Sequence, residues 1–109
     1  MDHRIEAVAG VINKDLGQTL SADALAREVN LSSSQFHLLF RAQFGISPMR
    51  YVHSARMVAA RDLLETSFLS VKQIMYAVGF NDSSHFLRDF KQLYGLTPTG
   101  YRKVTTPKV

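Results

Sequence analysis

The chain repeats itself once, and no other feature limits its fold so strongly. Phe40-Arg41 returns as Phe90-Lys91, Phe44-Gly45-Ile46-Ser47-Pro48 as Tyr94-Gly95-Leu96-Thr97-Pro98, and Tyr51 as Tyr101. Upstream, Val29-Asn30-Leu31 returns as Val78-Gly79-Phe80. The offset is 50 residues in the later part and 49 in the earlier part, so the second copy holds one extra residue between Phe80 and Phe86. Two copies are too few for a solenoid. They suit a duplicated supersecondary unit, in a chain whose 109 residues fit one domain or two small subdomains sharing a helix.

The punctuation of each copy is helical. Gly45 and Gly95 suit left-handed helix stops. Ser47 and Thr97 can cap the next helix, with Pro48 and Pro98 in its first turn, where a missing N–H costs nothing. Ser32 with Gln35, and Ser70 with Gln73, read as capping boxes. Sustained alternation and hairpin dipeptides are missing. The expectation is an all-α fold of seven helices, at about 2–16, 21–29, 32–44, 48–66, 71–78, 82–94 and 98–103. Phe36, Leu39, Phe40 and Phe44 form one buried stripe, and Phe86, Phe90, Leu93 and Tyr94 another. Leu25, Ala26 and Val29 give the second helix its inner face, as Ile74, Ala77 and Val78 do for the fifth. Asn30 and Gly79 stand at the turns that follow, where positive φ is needed. A short helix, a tight turn and a longer helix make a helix-turn-helix, whose second helix can lie in a DNA major groove. The domain plan is therefore residues 1–47, a linking helix 48–66, and residues 67–109, each half a homeodomain-like helix-turn-helix. The linking helix has no internal Gly or Pro and should be stiff, with Val52, Ala55, Ala59 and Leu63 as its stripe and Tyr51, Val58 and Leu64 widening it.

Opposite the first Phe stripe stand Ser34, His37, Leu38 and Arg41, with Gln35 alongside. Opposite the second stand Ser83, Ser84, Leu87, Arg88 and Lys91, with His85 at the edge. Arg pairs with guanine, Gln with adenine, Ser with several bases, and Leu38 can only pack on a thymine methyl. Arg88, in mid-helix, is the strongest candidate for base reading. Arg41 and Lys91, a turn later, suit phosphate, as do Ser32 and Asn81 at the helix starts. Each polar residue taken singly would also serve as an ordinary solvated position.

Charge distribution agrees. The formal net charge is +4. From Val29 to Arg61 there is no acid, but Arg41, Arg50, Arg56 and Arg61; from Phe90 onward there is again none, with Lys91, Arg102, Lys103 and Lys108. These read as two surfaces meant for phosphates. The chain has no cysteine, which excludes disulfides, thiolate zinc sites and Cys nucleophiles and suits a reducing, cytoplasmic setting. His37 and His85 lack the spacing and acidic company of metal ligands, and no catalytic constellation or phosphate loop appears. No metal, cofactor, membrane partner or enzymatic activity is expected.

These residues resemble the DNA-binding domain of the AraC/XylS family of bacterial transcription regulators. The stretch IMYAVGFNDSSHFLRDFKQLYGLTPTGYR, Ile74 to Arg102, is very close to that family's signature. LAREVNLSSSQFHLLFRAQFGISPMRYV, Leu25 to Val52, and the following ARMVAARDLL also match, and the likeness covers about residues 5–103. The resemblance implies two helix-turn-helix subdomains, a long linking helix, and recognition helices in adjacent major grooves of an asymmetric promoter site. It implies transcriptional activation, with RNA polymerase as a further partner. By position, Ser34, His37 and Leu38 would read bases in the first unit and Ser83, Ser84 and Arg88 in the second. Leu38 stands where members commonly carry Arg or another polar residue, and Asn30 where Gly is frequent. Fewer hydrogen-bonded base contacts are thus expected from the first unit. The separate effector or dimerisation domain of many members has no counterpart in this chain, which reads as part of a longer regulator or as a single-domain one.

Two other classes compete with this reading. A protein-interaction module that kept the fold but lost DNA reading is compatible with Leu38. The DNA-repair methyltransferases that carry such a domain need a cysteine, which this chain lacks.

Overall fold

The computed structural model describes residues 2–105. Among them are seven helices: α1 (His3–Lys14), α2 (Ala22–Glu28), α3 (Ser33–Phe44), α4 (Pro48–Thr66), α5 (Val71–Ala77), α6 (Ser83–Tyr94) and α7 (Pro98–Thr105). The chain divides into two compact units, Met1–Ala55 and Arg56–Val109, and the division falls inside α4.

Caps set the helix boundaries. Asp2 starts α1 by accepting the Arg4 N–H at 2.9 Å. Ser32 and Ser70 close full capping boxes with Gln35 and Gln73. The Ser47 and Thr97 hydroxyls accept from the N–H groups of Arg50 and Gly100. Gly45 and Gly95 end α3 and α6 at φ of 79° and 82°, each donating its N–H to the carbonyl four residues back.

The first unit is built on Ile5, Val8 and Ile12 of α1, Leu25 and Ala26 of α2, Phe36 and Phe40 of α3, and Val52 of α4. The second is built on Met57, Ala60 and Leu64 of α4, Ile74 and Met75 of α5, Val78, and Phe86 and Phe90 of α6. The repeat holds at the level of rings. Phe40 meets Phe44 at 4.7 Å and Tyr51 edge-on at 5.4 Å; Phe90 meets Tyr94 at 4.7 Å and Tyr101 edge-on at 5.7 Å. Such pairs add about 0.5–1.5 kcal/mol beyond burial alone.

Three expected core positions are on the surface. Ala77 is exposed and Met75 is buried, because α5 packs through Ile74, Met75 and Val78, as α2 and its cap pack through Leu25, Ala26 and Val29. Leu93 is 58% exposed. Its counterpart in the first copy, Gln43, is met by the Asp2 N–H at the start of α1, whereas Leu93 lies outside its unit's core cluster. Val58 is 43% exposed, because α4 turns Met57, Ala60 and Leu64 inward instead.

The two tight turns close alike. After α2, the N–H of Leu31 reaches the Ala26 carbonyl at 3.0 Å and that of Asn30 the Arg27 carbonyl at 3.1 Å. After α5, Phe80 reaches Met75 at 3.0 Å and Gly79 reaches Tyr76 at 3.1 Å. This is the Schellman closure, which needs a positive φ at the residue after the cap: 58° at Asn30 and 101° at Gly79. The extra residue of the second copy is Asn81. Ser32 caps α3 directly after Leu31, while Asn81 separates Phe80 from Asp82, the cap of α6.

Candidate nucleic-acid interface

In the first unit, α3 turns Phe36 and Phe40 into the core and leaves Ser34, Gln35, Leu38 and Arg41 exposed, with His37 half-buried. Leu38 is 71% exposed in mid-helix, a position that burial does not explain. The capping box occupies Ser32 and Gln35. The Ser32 hydroxyl accepts the Gln35 N–H at 3.2 Å, and Gln35 Oε1 lies 3.4 Å from the Ser32 N–H and 3.2 Å from its hydroxyl. Only the Gln35 amide NH2 is left to meet a ligand, so this pair holds the start of α3 rather than leading the reading face. Ser33 donates to the Asp23 carboxylate, which ties the starts of α3 and α2 together. His37 is oriented too, with Nδ1 2.8 Å from the Ser33 carbonyl and the ring edge-on to Phe36 at 6.1 Å. Arg41 makes no ion pair among the described residues.

In the second unit, α6 buries Phe86 and Phe90 and exposes Ser83, Ser84, His85, Leu87, Arg88 and Lys91. Arg88 keeps 67% of its side-chain surface in water, with Nε 3.4 Å from an Asp89 oxygen, a contact that constrains it little. Asp82 caps the helix by accepting the His85 N–H at 3.2 Å, and its other oxygen is 3.4 Å from His85 Nδ1. His85 is thereby drawn toward the cap and away from the centre of the face. A cleft of about 460 Å³ opens beside α6, with Lys72, Tyr76, Asn81 and Ser83 among its lining and Met75 and Phe86 as its buried apolar residues. Lys72 and Tyr76 are functional candidates that the sequence reading left out. The repeat offers the signal in hindsight: Lys72 stands where the first copy has Asp23.

The basic residues separate into two groups. Arg41, Arg50, Lys91 and Lys103 are exposed. Three others are structural, contrary to a purely phosphate-facing role. Arg102 donates to the carbonyls of Leu64 at 3.1 Å, Leu69 at 2.6 Å and Ser67 at 3.3 Å. Arg61 lies over the Tyr94 ring at 5.2 Å. Arg56 is half-buried, and that burial presses its pKa below the usual guanidinium value. Lys108 lies outside the described residues.

Among the described residues no helix is long and apolar enough to cross a membrane. A family model described as a helix-turn-helix domain matches residues 25–104. The chain is 33% identical over 99 residues to the Msm operon regulatory protein of Streptococcus mutans, covering 91% of this chain and 36% of that protein. It is 31% identical over 100 residues to the HTH-type transcriptional activator RhaS of Escherichia coli, covering 92% and 36%. The chain thus spans about a third of the length of these relatives. The crystal structure of the DNA-binding domain of AdpA, in complex with a target DNA, matches at a TM-score of 0.89 and 25% identity, over 94% of this chain and 93% of that one. Duplicated helix-turn-helix units, the match from Leu25 to Val104 and these relatives together place the chain in the AraC/XylS family of transcription regulators.

Proposed function

We propose that this chain binds double-stranded DNA by sequence, with α3 and α6 each entering a major groove of an asymmetric promoter site, and that it regulates transcription. The observation that carries the reading is the two-faced build of both helices. Each buries two Phe residues and presents a solvent-exposed opposite face that is polar apart from one leucine, Leu38 or Leu87. Relatives support it: RhaS is named a transcriptional activator, and the AdpA domain was solved on its target. Activation is the expected direction, with RNA polymerase as the protein partner.

Within this reading, Arg88 donates to guanine, and Ser34, Ser83 and Ser84 make smaller base contacts. His85 lies at the margin of the face. Arg41 and Lys91 hold phosphate, and Lys72, Tyr76 and Asn81 seat the backbone along the α5–α6 cleft, since the first helix of such a motif crosses the backbone. Leu38 packs on a thymine methyl. The exposure of Leu38 also favours a second reading, a protein-docking face on α3.

Selection of bound duplexes from a random pool of about 25 base pairs, spanning two turns and flanks, tests the proposal. An enriched asymmetric motif with two boxes about one turn apart is the expected result. Enrichment of only one box would assign the first unit to backbone holding. No enrichment by folded protein would favour the docking face.

A further inference from the structure

His37, like Gln35, has a polar atom on the α3 face that is assigned by its surroundings. A carbonyl oxygen only accepts, so the 2.8 Å contact between Nδ1 and the Ser33 carbonyl requires the proton on Nδ1. The neutral imidazole then carries a lone pair, and no proton, on Nε2. Ser33 is itself fixed, because its hydroxyl donates to Asp23 at the start of α2. The edge-on Phe36 ring, 6.1 Å away and fully buried, braces the imidazole. These contacts orient His37 as a preset acceptor on a face whose neighbours are a hydroxyl, a leucine and a cation.

Resting on the DNA-reading proposal, we infer that His37 is a specificity-determining residue that accepts, through Nε2, the exocyclic amino group of a base in the major groove. Only adenine and cytosine display such a donor there, at N6 and N4; guanine and thymine offer acceptors at that edge, which a lone pair repels. His37 thus selects against guanine and thymine on the strand it faces. The second copy has Leu87 at this position and Arg88 one residue on, where the first copy has Leu38. In each unit one exposed leucine and one polar reader occupy the pair of sites. The order is reversed, and so is the hydrogen-bonding sense: His37 accepts and Arg88 donates.

The test uses the full chain and the duplex that selection returns. His37→Ala is compared with the unmodified protein to find the position whose base preference it removes. Each base pair displays one such amino group in its major groove, N6 of adenine or N4 of cytosine, so the amino group at that position is what the test removes. The base there is then replaced by its analogue without the amino group, purine for adenine or 2-pyrimidinone for cytosine. The unmodified protein should lose about five-fold or more in affinity on that change, the lower end of what one good base contact supplies. The His37→Ala protein should lose nothing further. Helical circular dichroism checks that the variant is folded, and the analogue on the unmodified protein gives the same answer without any substitution. Removal of that amino group at no cost to the unmodified protein overturns the inference, as does an equal analogue effect in both proteins. So does a motif unchanged by His37→Ala, and in that case the DNA reading itself survives. No motif at all overturns both.

Discussion

Arg102 of α7 donates its Nε–H to the carbonyl of Leu64, near the end of α4, at 3.1 Å. Its other nitrogens reach Leu69 and Ser67, so one guanidinium gathers the end of a helix and the loop that follows. The last carbonyls of a helix have no partner within it, and a cation there also opposes the partial negative charge of the helix end. Arg102→Ala should cost about 2 kcal/mol, the range for hydrogen bonds to a charged group, read as a lowered urea midpoint. Arg102→Lys should recover only part of it, because an ammonium cannot copy the planar fork. If Arg102→Ala instead leaves stability intact and flattens the salt dependence of DNA binding, the residue belongs to the phosphate surface.

Arg88 and Lys91 lie one turn apart on α6 and should fail differently. Arg88→Ala should lose about 1–3 kcal/mol of discrimination at one base position. Lys91→Ala, like Arg41→Ala, should weaken all duplexes alike and lower the salt slope by about 1. Titrations of matched and mismatched duplexes at several salt concentrations separate the two. Unchanged base preference in Arg88→Ala would sink its assignment.

The two turns predict opposite tolerances. Gly79, at φ 101°, lies in a region that side chains rarely adopt, so Gly79→Ala should cost at least about 1 kcal/mol. Asn30, at φ 58°, is already left-handed, and Asn30→Gly should change stability by only a few tenths of a kcal/mol. Thermal melts of the two variants read this directly, and a large loss in Asn30→Gly would point to a side-chain role for Asn30.

Two phenols make the second unit sensitive to alkali. Burial raises the pKa of Tyr94, with Arg61 opposing and Asp62 adding; burial and then Glu65 raise that of Tyr101. An unfolded tyrosine loses its proton near pH 10, about where free phenols do. The folded chain holds both protons to higher pH. Their contribution is therefore full below about pH 10 and is lost as pH rises through the raised folded values. Urea midpoints for the unmodified protein should fall across that window, and Tyr94→Phe with Tyr101→Phe should flatten the fall. An equally steep fall in the double variant would place its cause elsewhere.

The sequence by itself determined the helices, their caps and the duplication. Those depend on local signals: a Ser three residues before a Gln, a Gly that accepts positive φ, a Phe every four residues. It also determined that α3 and α6 each have an outer face, since a helix that buries Phe36 and Phe40 turns its opposite side, with Ser34, Leu38 and Arg41, to solvent. Tertiary structure decided which of those residues are available. Arg102 looked like surface charge because no local pattern links it to Leu64, 38 residues away. Leu93 had the right period for burial, but whether the last turn of α6 is covered depends on what packs there. The tautomer of His37 follows from a carbonyl one turn back, a spacing the sequence contains, but the rotamer that makes the contact is set by the packing around Phe36.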